Sequence, residues 1–226
     1  MENFSSLQAL YDHLEKNALN YKYSHQIGNL FQKLRDLNEN ENNPDEKEKS
    51  QWEVDFFSFR LEEGKLKPMF AKIDMKGEQV KYPCVEKFDE RICVYLASRL
   101  EITSNPFLKA RYSHLLWLSP KKHQKYAIKS IDAYRELIKI YEKKDKINPA
   151  NHFGLDIIEI VKVVYSLSCQ LNYKLDFVKA EIKRLIKNFN FKSSSSFALR
   201  AKLIELMLKS KKRFSKDDFI DLKTYA

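Results

Sequence analysis

The stretch YAIKSIDAYRELIKIY, residues 126–141, decides the fold class. Ala127, Ile131, Tyr134, Ile138 and Tyr141 recur at four-, three-, four- and three-residue steps, with Ile128 and Leu137 beside them. That is the period of a helix with one apolar face; a strand, whose side chains alternate every second residue, cannot gather these positions on one side.

The same period extends outward in both directions. Upstream, Phe4, Leu7, Leu10, Tyr11 and Leu14 form one face, and Tyr23, Ile27, Leu30, Phe31, Leu34 and Leu37 form the next, so residues 1–37 are expected to make a helical hairpin. Phe88, Ile92, Tyr95 and Leu96 share a face with Arg99, the conspicuous polar member. Asn105 and Pro106 read as a cap and a first-turn proline leading into Leu108, Tyr112, Leu115 and Leu116. Downstream, Asn148 and Pro149 open another unit, whose segment LDIIEIVKVVYSLSCQL is apolar almost all round and is expected to be buried on more than one side. Val178, Ile182, Leu185, Ile186 and Phe189 follow, then a break at Ser193 to Ser196, a helix through Phe197, Ala201, Ile204 and Leu208, and a capping-box start at Ser215-x-x-Asp218. That last helix is cut short at Ala226, which leads to the expectation of a packing partner or further sequence beyond it.

Two stretches break the pattern. NENENNPDEKEKS, residues 38–50, has no aliphatic or aromatic residue and is expected to be a mobile acidic linker. Between 52 and 80, Trp52, Val54 and Phe56, then Phe57, Phe59 and Leu61, alternate with period two, so a small extended or β insert with a bulge is expected there. Residues 51–226 are then the main helical domain. The expected fold is mainly all-α, and helix pairs of roughly 35 to 45 residues fit either an irregular helical bundle or a TPR-like or HEAT-like stack.

Composition narrows the function classes. A chain of 226 residues with 43% hydrophobic and 32% charged residues has enough material for a core of its own. Cys84, Cys93 and Cys169 are odd in number and widely spaced, which argues against a disulfide framework and for a reducing, cytoplasmic setting. The first residues lack the basic start and apolar run of a signal peptide, and no window approaches the roughly 18 apolar residues of a membrane span. The four glycines, at 28, 64, 77 and 154, are isolated, so no phosphate-cradling loop is encoded and no cofactor is expected. His13, His25, His114, His123 and His152 do not fall at metal-ligand spacing. No G-x-S-x-G elbow is present, and no catalytic residue is assigned.

The net charge of +10 is unevenly distributed. Residues 1–100 hold 15 Lys and Arg against 18 Asp and Glu, whereas residues 101–226 hold 26 against 13. Lys121, Lys122, Lys125 and Lys129 surround one inter-helix loop, and Lys209, Lys211, Lys212 and Arg213 make the densest run. These eight are the candidate nucleic-acid contacts, because clustered lysines neutralise phosphates; the competing reading is a solvated, solubilising surface. Arg99 and Arg111 sit among apolar residues and must find carboxylates or carbonyls, with Asp132 and Glu136 as expected structural partners of these guanidiniums.

The stretches LKPMFAKIDMKGEQVKYPCVEKF, NPFLKARYSHLLW and AIKSIDAY resemble the N-terminal helical domain of bacterial proteins that end in a DUF4209-type domain with a HEPN-like R-N-x-x-x-H motif. The likeness covers about a third of the chain, falling on Pro68, Met69, Gly77, Pro83, Asn105, Pro106, Ala110, Arg111, Trp117, Ala127 and Tyr134. The family pattern has an acidic residue near His114, where this chain departs from it. The resemblance implies an accessory or recognition domain, with Asn105, Pro106, Arg111, Trp117 and Tyr134 as structural motif residues and any nuclease chemistry outside these 226 residues. Taken together, the expectation is a non-enzymatic interaction domain holding a protein partner or a C-terminal domain of its own chain. The alternative is an RNA- or DNA-contacting module, without membrane association.

Overall fold

The computed structural model describes residues 4–17, 24–57, 59–62, 65–68, 72–73, 79–80, 89–119, 121–143 and 157–188. They form eight helices: α1 (Leu7–Asn17), α2 (Ser24–Asn40), α3 (Pro44–Phe57), α4 (Glu90–Ile102), α5 (Pro106–Leu118), α6 (Gln124–Lys143), α7 (Ile157–Leu171) and α8 (Leu175–Asn188). Four short strands lie between α3 and α4: β1 (Phe59–Glu62), β2 (Lys65–Pro68), β3 (Lys72–Ile73) and β4 (Gln79–Val80). The fold is an all-α helical bundle with a small β insert, as the helical periodicity requires.

Two compact units are distinguished, residues 1–163 and residues 164–226. In the first, α2 packs on α3, and α5 packs on both α4 and α6. Its fully buried side chains include Leu10, Leu14, Leu34, Phe56, Leu96, Leu108, Leu115 and Ile131. These are the i, i+3 and i+4 positions of their helices, so each apolar stripe faces the interior. In the second unit, Val164 and Leu167 of α7 and Val178, Ile182 and Leu185 of α8 are buried. Asn172 and Lys174, both at positive φ, turn the chain between these helices.

The polar stretch 38–50 is corrected by the structure. It is not an unstructured linker: α2 runs through to Asn40 and α3 starts at Pro44. Pro44 sits in a first turn that lacks a use for its missing N–H, and Asp45 and Glu46 place negative charge at the positive end of the helix. Asn43 accepts from the Asp45 amide at 3.0 Å, and Asn38 reaches across the turn to donate to the Lys47 carbonyl at 2.7 Å and the Ser50 hydroxyl at 2.8 Å. Local hydrogen bonds supply what apolar burial could not.

The strand expected from residue 52 is corrected as well, since Trp52 to Phe57 complete α3. Glu53, Val54 and Phe56 are all buried, so an acidic residue occupies a core position and disguises the helical period. The extended insert begins instead at Phe59, where β1 and β2 pair antiparallel with Phe59 opposite Pro68, and β3 pairs with β4 with Lys72 opposite Val80. Expectations for the segments at Asn148, Ser193 to Ser196, Phe197 to Leu208 and Ser215 onward lie outside the described residues.

The start of α5 follows the sequence reading closely. The Asn105 side chain accepts from the amides of Phe107 and Leu108, and Pro106 takes the first helical position. Asn105 is also fixed from α1: its Nδ2 donates to the Glu15 carbonyl at 2.9 Å, and its amide donates to Glu15 Oε1 at 2.7 Å. Thr103 and Ser104 hydroxyls donate to the same carboxylate at 2.5 and 2.6 Å. Partial burial works to raise the Glu15 carboxyl, but the Ser104, Thr103 and Asn105 donors outweigh it and hold it below its ordinary range. Asn105→Ala removes both the cap and the tie to α1 and is expected to cost about 1–2 kcal/mol in urea unfolding. A loss under about 0.3 kcal/mol would show that this cap carries no stability.

Candidate functional site

A buried polar cluster lies where α1, α3, α4 and α5 converge. Glu53 of α3 is completely buried. The Tyr95 hydroxyl donates to its Oε1 at 2.9 Å, and the Tyr112 hydroxyl lies 3.3 Å from each carboxylate oxygen. Tyr11 of α1 is hydrogen-bonded through its hydroxyl to that of Tyr95. The Arg99 guanidinium lies 3.5 Å from the centre of the Tyr11 ring, close enough for a cation–π contact in a desolvated place.

The electrostatics follow from burial. Desolvation pushes the Glu53 carboxyl above its ordinary range, and Arg99 and the tyrosine hydroxyls only partly counter it. Burial followed by the nearby Glu53 carboxylate pushes the hydroxyls of Tyr11, Tyr95 and Tyr112 upward, so all three remain protonated donors. For Arg99, burial works downward, but Tyr112, Glu53 and Tyr11 outweigh it and keep the guanidinium charged.

A second buried set lies along α5 and α6. Arg111 Nε donates to the Phe56 carbonyl at 3.1 Å, and its Nη2 is bonded to the same oxygen. Desolvation brings this guanidinium down to about 10. His114 Nδ1 lies 3.1 Å from the Tyr134 hydroxyl, with the two rings edge to face. Burial, reinforced by the Arg111 charge, lowers the His114 imidazole to about 3, so it is neutral and a weak base at neutral pH.

Arg111 thus finds a backbone carbonyl, one of the two kinds of partner that a buried guanidinium requires. The carboxylate that influences both Arg99 and Arg111 is Glu53 of α3, while Asp132 is half-exposed and pairs with Arg135 at 3.7 Å. Glu53 is not visible as a core residue in the sequence because Trp52, Val54 and Phe56 alternate around it as they would in a strand. The available signal was an acidic residue flanked by Trp52, Val54 and Phe56.

An open groove of about 450 Å³ lies above this cluster, between α3 and α4. Asp45, Glu48, Lys49 and Trp52 line it from α3, and Glu90, Arg91, Val94, Tyr95 and Ser98 line it from α4. The α3 set, and the α4 set from Arg91 onward, are spaced i, i+3, i+4, i+7, the stripe that one helix shows along one side. Side chains bridge the stripes in step. Arg91 holds Glu48 through two bonds, Nη1 to Oε1 at 3.2 Å and Nη2 to Oε2 at 2.5 Å, and Trp52 meets Tyr95 with ring centres 5.3 Å apart. Val94 is 64% exposed on its wall. Beyond Val94 a smaller cavity of about 160 Å³ brings Cys93, Lys121 and His123 together. Among the described residues no group of three His, Cys, Asp or Glu could hold a metal ion.

The basic candidates are only partly placed. Lys121, Lys122, Lys125 and Lys129 are all exposed at the α5–α6 turn and the start of α6, with Lys122 at positive φ. Lys121 is committed to Glu90 at 2.7 Å. Lys209, Lys211, Lys212 and Arg213 lie outside the described residues. Of the motif residues, Asn105 and Pro106 cap α5, Arg111 and Tyr134 are buried, and Trp117 is half-buried.

A family model described as a domain of unknown function, DUF7380, matches residues 10–180. The chain belongs to the DUF7380 family. The DUF7380 match runs from within α1 to within α8 and takes in the Glu53 cluster, the groove and Lys121 to Lys129. It encloses the stretch from Lys67 to Tyr134 that carries the resemblance seen in the sequence, and says nothing of a following domain or a bacterial source. No curated protein and no solved structure matches the chain.

Proposed function

We propose that this DUF7380 chain is a non-enzymatic, cytoplasmic interaction domain that holds a protein segment in the α3–α4 groove. The observation that carries this reading is the grouping of Trp52, Tyr95 and the exposed Val94 in one open groove. Aromatic side chains dominate binding energy at protein interfaces because they bury large areas with few torsions to fix. The buried titratable groups support it from the other side. Glu53, Arg99, Arg111 and His114 are engaged with interior partners, which suits anchoring of helices better than turnover of a substrate. Three widely spaced cysteines, Cys84, Cys93 and Cys169, suit a reducing compartment, and no described helix is long and apolar enough to cross a membrane. The resemblance to domains that precede a DUF4209-type domain supplies one source for the bound segment.

The test is capture of proteins from a source-cell extract on wild-type protein and on Val94→Asp, followed by titration of each purified candidate. A charge buried against Trp52 should weaken a genuine groove partner by about tenfold or more, with the helical circular dichroism unchanged. Equal affinity of the two proteins for every partner would overturn the reading.

The exposure of Lys122, Lys125 and Lys129 favours a second reading, a nucleic-acid-contacting module. Anisotropy with RNA and DNA at about 50 and 200 mM salt separates the two, because phosphate binding collapses over that range. Steep salt dependence lost in Lys122→Glu and Lys125→Glu would replace the protein-binding reading.

A further inference from the structure

The groove already contains a guanidinium, and it is the protein's own. Arg91 meets both oxygens of Glu48 in a fork, with its Cζ 5.8 Å from the centre of the Trp52 ring. A carboxylate presenting two oxygens beside an aromatic face is the arrangement that planar guanidinium groups fit best, through paired charge-assisted bonds and cation–π attraction. Arg91 is 64% exposed, so little packing opposes its swinging away. The lining carries Asp45, Glu48 and Glu90 against Lys49 and Arg91, and Lys121 holds Glu90 at 2.7 Å, so the carboxylate that offers two oxygens beside an aromatic face is Glu48.

We infer that the groove binds an arginine-bearing segment of the partner protein, whose guanidinium takes the place of Arg91 on Glu48 and Trp52. This rests on the interaction reading above and adds the chemistry of the occupant. An apolar neighbour of that arginine would sit on Val94, which the groove leaves exposed. Arg91 then acts as an internal competitor: it keeps Glu48 and the Trp52 face satisfied while the groove is empty, and it sets a threshold that a weakly basic segment does not pass.

The experiment uses the full chain carrying Trp117→Phe, which leaves Trp52 as the reporter of the chain's two tryptophans. Three leucine-containing peptides are titrated against its fluorescence, identical except for arginine, citrulline or glutamate at the same positions. Citrulline keeps the planar shape of arginine and removes its charge. The arginine peptide is expected to saturate, with the citrulline peptide about tenfold weaker. Glu48→Gln should weaken the arginine peptide about three- to tenfold, and Arg91→Gln should tighten it about threefold by removing the competitor. Tightening is a result that a merely structural Arg91 would not give.

Equal binding of the arginine and citrulline peptides, or preference for the glutamate peptide, overturns the basic occupant and leaves the interaction reading standing. Weaker binding by Arg91→Gln also overturns it, because Arg91 would then be a contact and not a stand-in. If no peptide saturates, the basic occupant is overturned, while the interaction reading is judged separately by the Val94→Asp comparison.

Discussion

Replacing Glu53 by alanine is expected to lower the unfolding free energy by about 3–5 kcal/mol, more than any surface change in this protein. The carboxylate is fully buried and accepts from Tyr95 and Tyr112, while Arg99 stands close enough to shift it. Removing it takes the acceptor from two buried hydroxyls and the nearby negative charge from the buried Arg99 guanidinium, and the cost is the loss of those interactions in a desolvated place. Glu53→Gln keeps an acceptor oxygen and the shape of the protonated acid, so its cost is expected to be at most about half as large. Urea unfolding of both variants at neutral pH checks the order. An alanine variant within about 1 kcal/mol of wild type would show that the cluster is not a determinant of stability. The sign of the pH dependence follows from the direction of the shift. Because the folded carboxyl is raised, its contribution is complete below the unfolded value and declines as pH rises through the folded one.

His114 acts in the opposite direction. Its imidazole is lowered from 6.5 to about 3 by burial and by Arg111, so the folded protein keeps it neutral while the unfolded chain takes up a proton. Its contribution is therefore intact above 6.5 and is lost progressively as pH falls from there toward 3. Between about pH 7 and about pH 5 the loss from this one group is expected to be about 2 kcal/mol, the proton-linkage work over that interval. The measurement is urea unfolding at both pH values for wild type and for His114→Asn. The variant can be less stable at each pH, since the bond to the Tyr134 hydroxyl changes, yet the difference between the two pH values should shrink by the same 2 kcal/mol or so. An unchanged difference would mean that the imidazole is protonated in the folded state.

These two residues differ in how far the sequence reveals them. His114 sits in KARYSHLLW, where Asn105 and Pro106 had already set the helix and its phase, so its burial followed once α5 packed on α4 and α6. Glu53 could not be found that way. Its neighbours Trp52, Val54 and Phe56 alternate like a strand, and an acidic side chain in the core contradicts the hydropathy pattern that a helix assignment uses. The carboxylate is tolerated there because Arg99, Tyr95, Tyr112 and Tyr11 arrive from three other helices, and their sequence separations carry no local signal. The groove was hidden for a related reason. Its α3 wall begins in residues 38–50, which read as a linker, and the helix there is held by Asn43, Asn38 and neighbouring charges instead of by an apolar stripe.

What the sequence determined by itself was the local and periodic part: helices at Leu7, Ser24, Glu90, Pro106, Gln124, Ile157 and Leu175, the cap at Asn105, and the buried faces of Leu10, Leu34, Leu96, Leu115 and Ile131. Three- and four-residue spacing fixes these, because each helix carries its own apolar stripe and needs no knowledge of its neighbours. The tertiary structure decided which polar side chains share one desolvated space and which two stripes line one groove. Glu53 feels the charge of Arg99, and Glu48 meets Arg91, only after α3 and α4 lie side by side, since charges act through space whatever their distance along the chain.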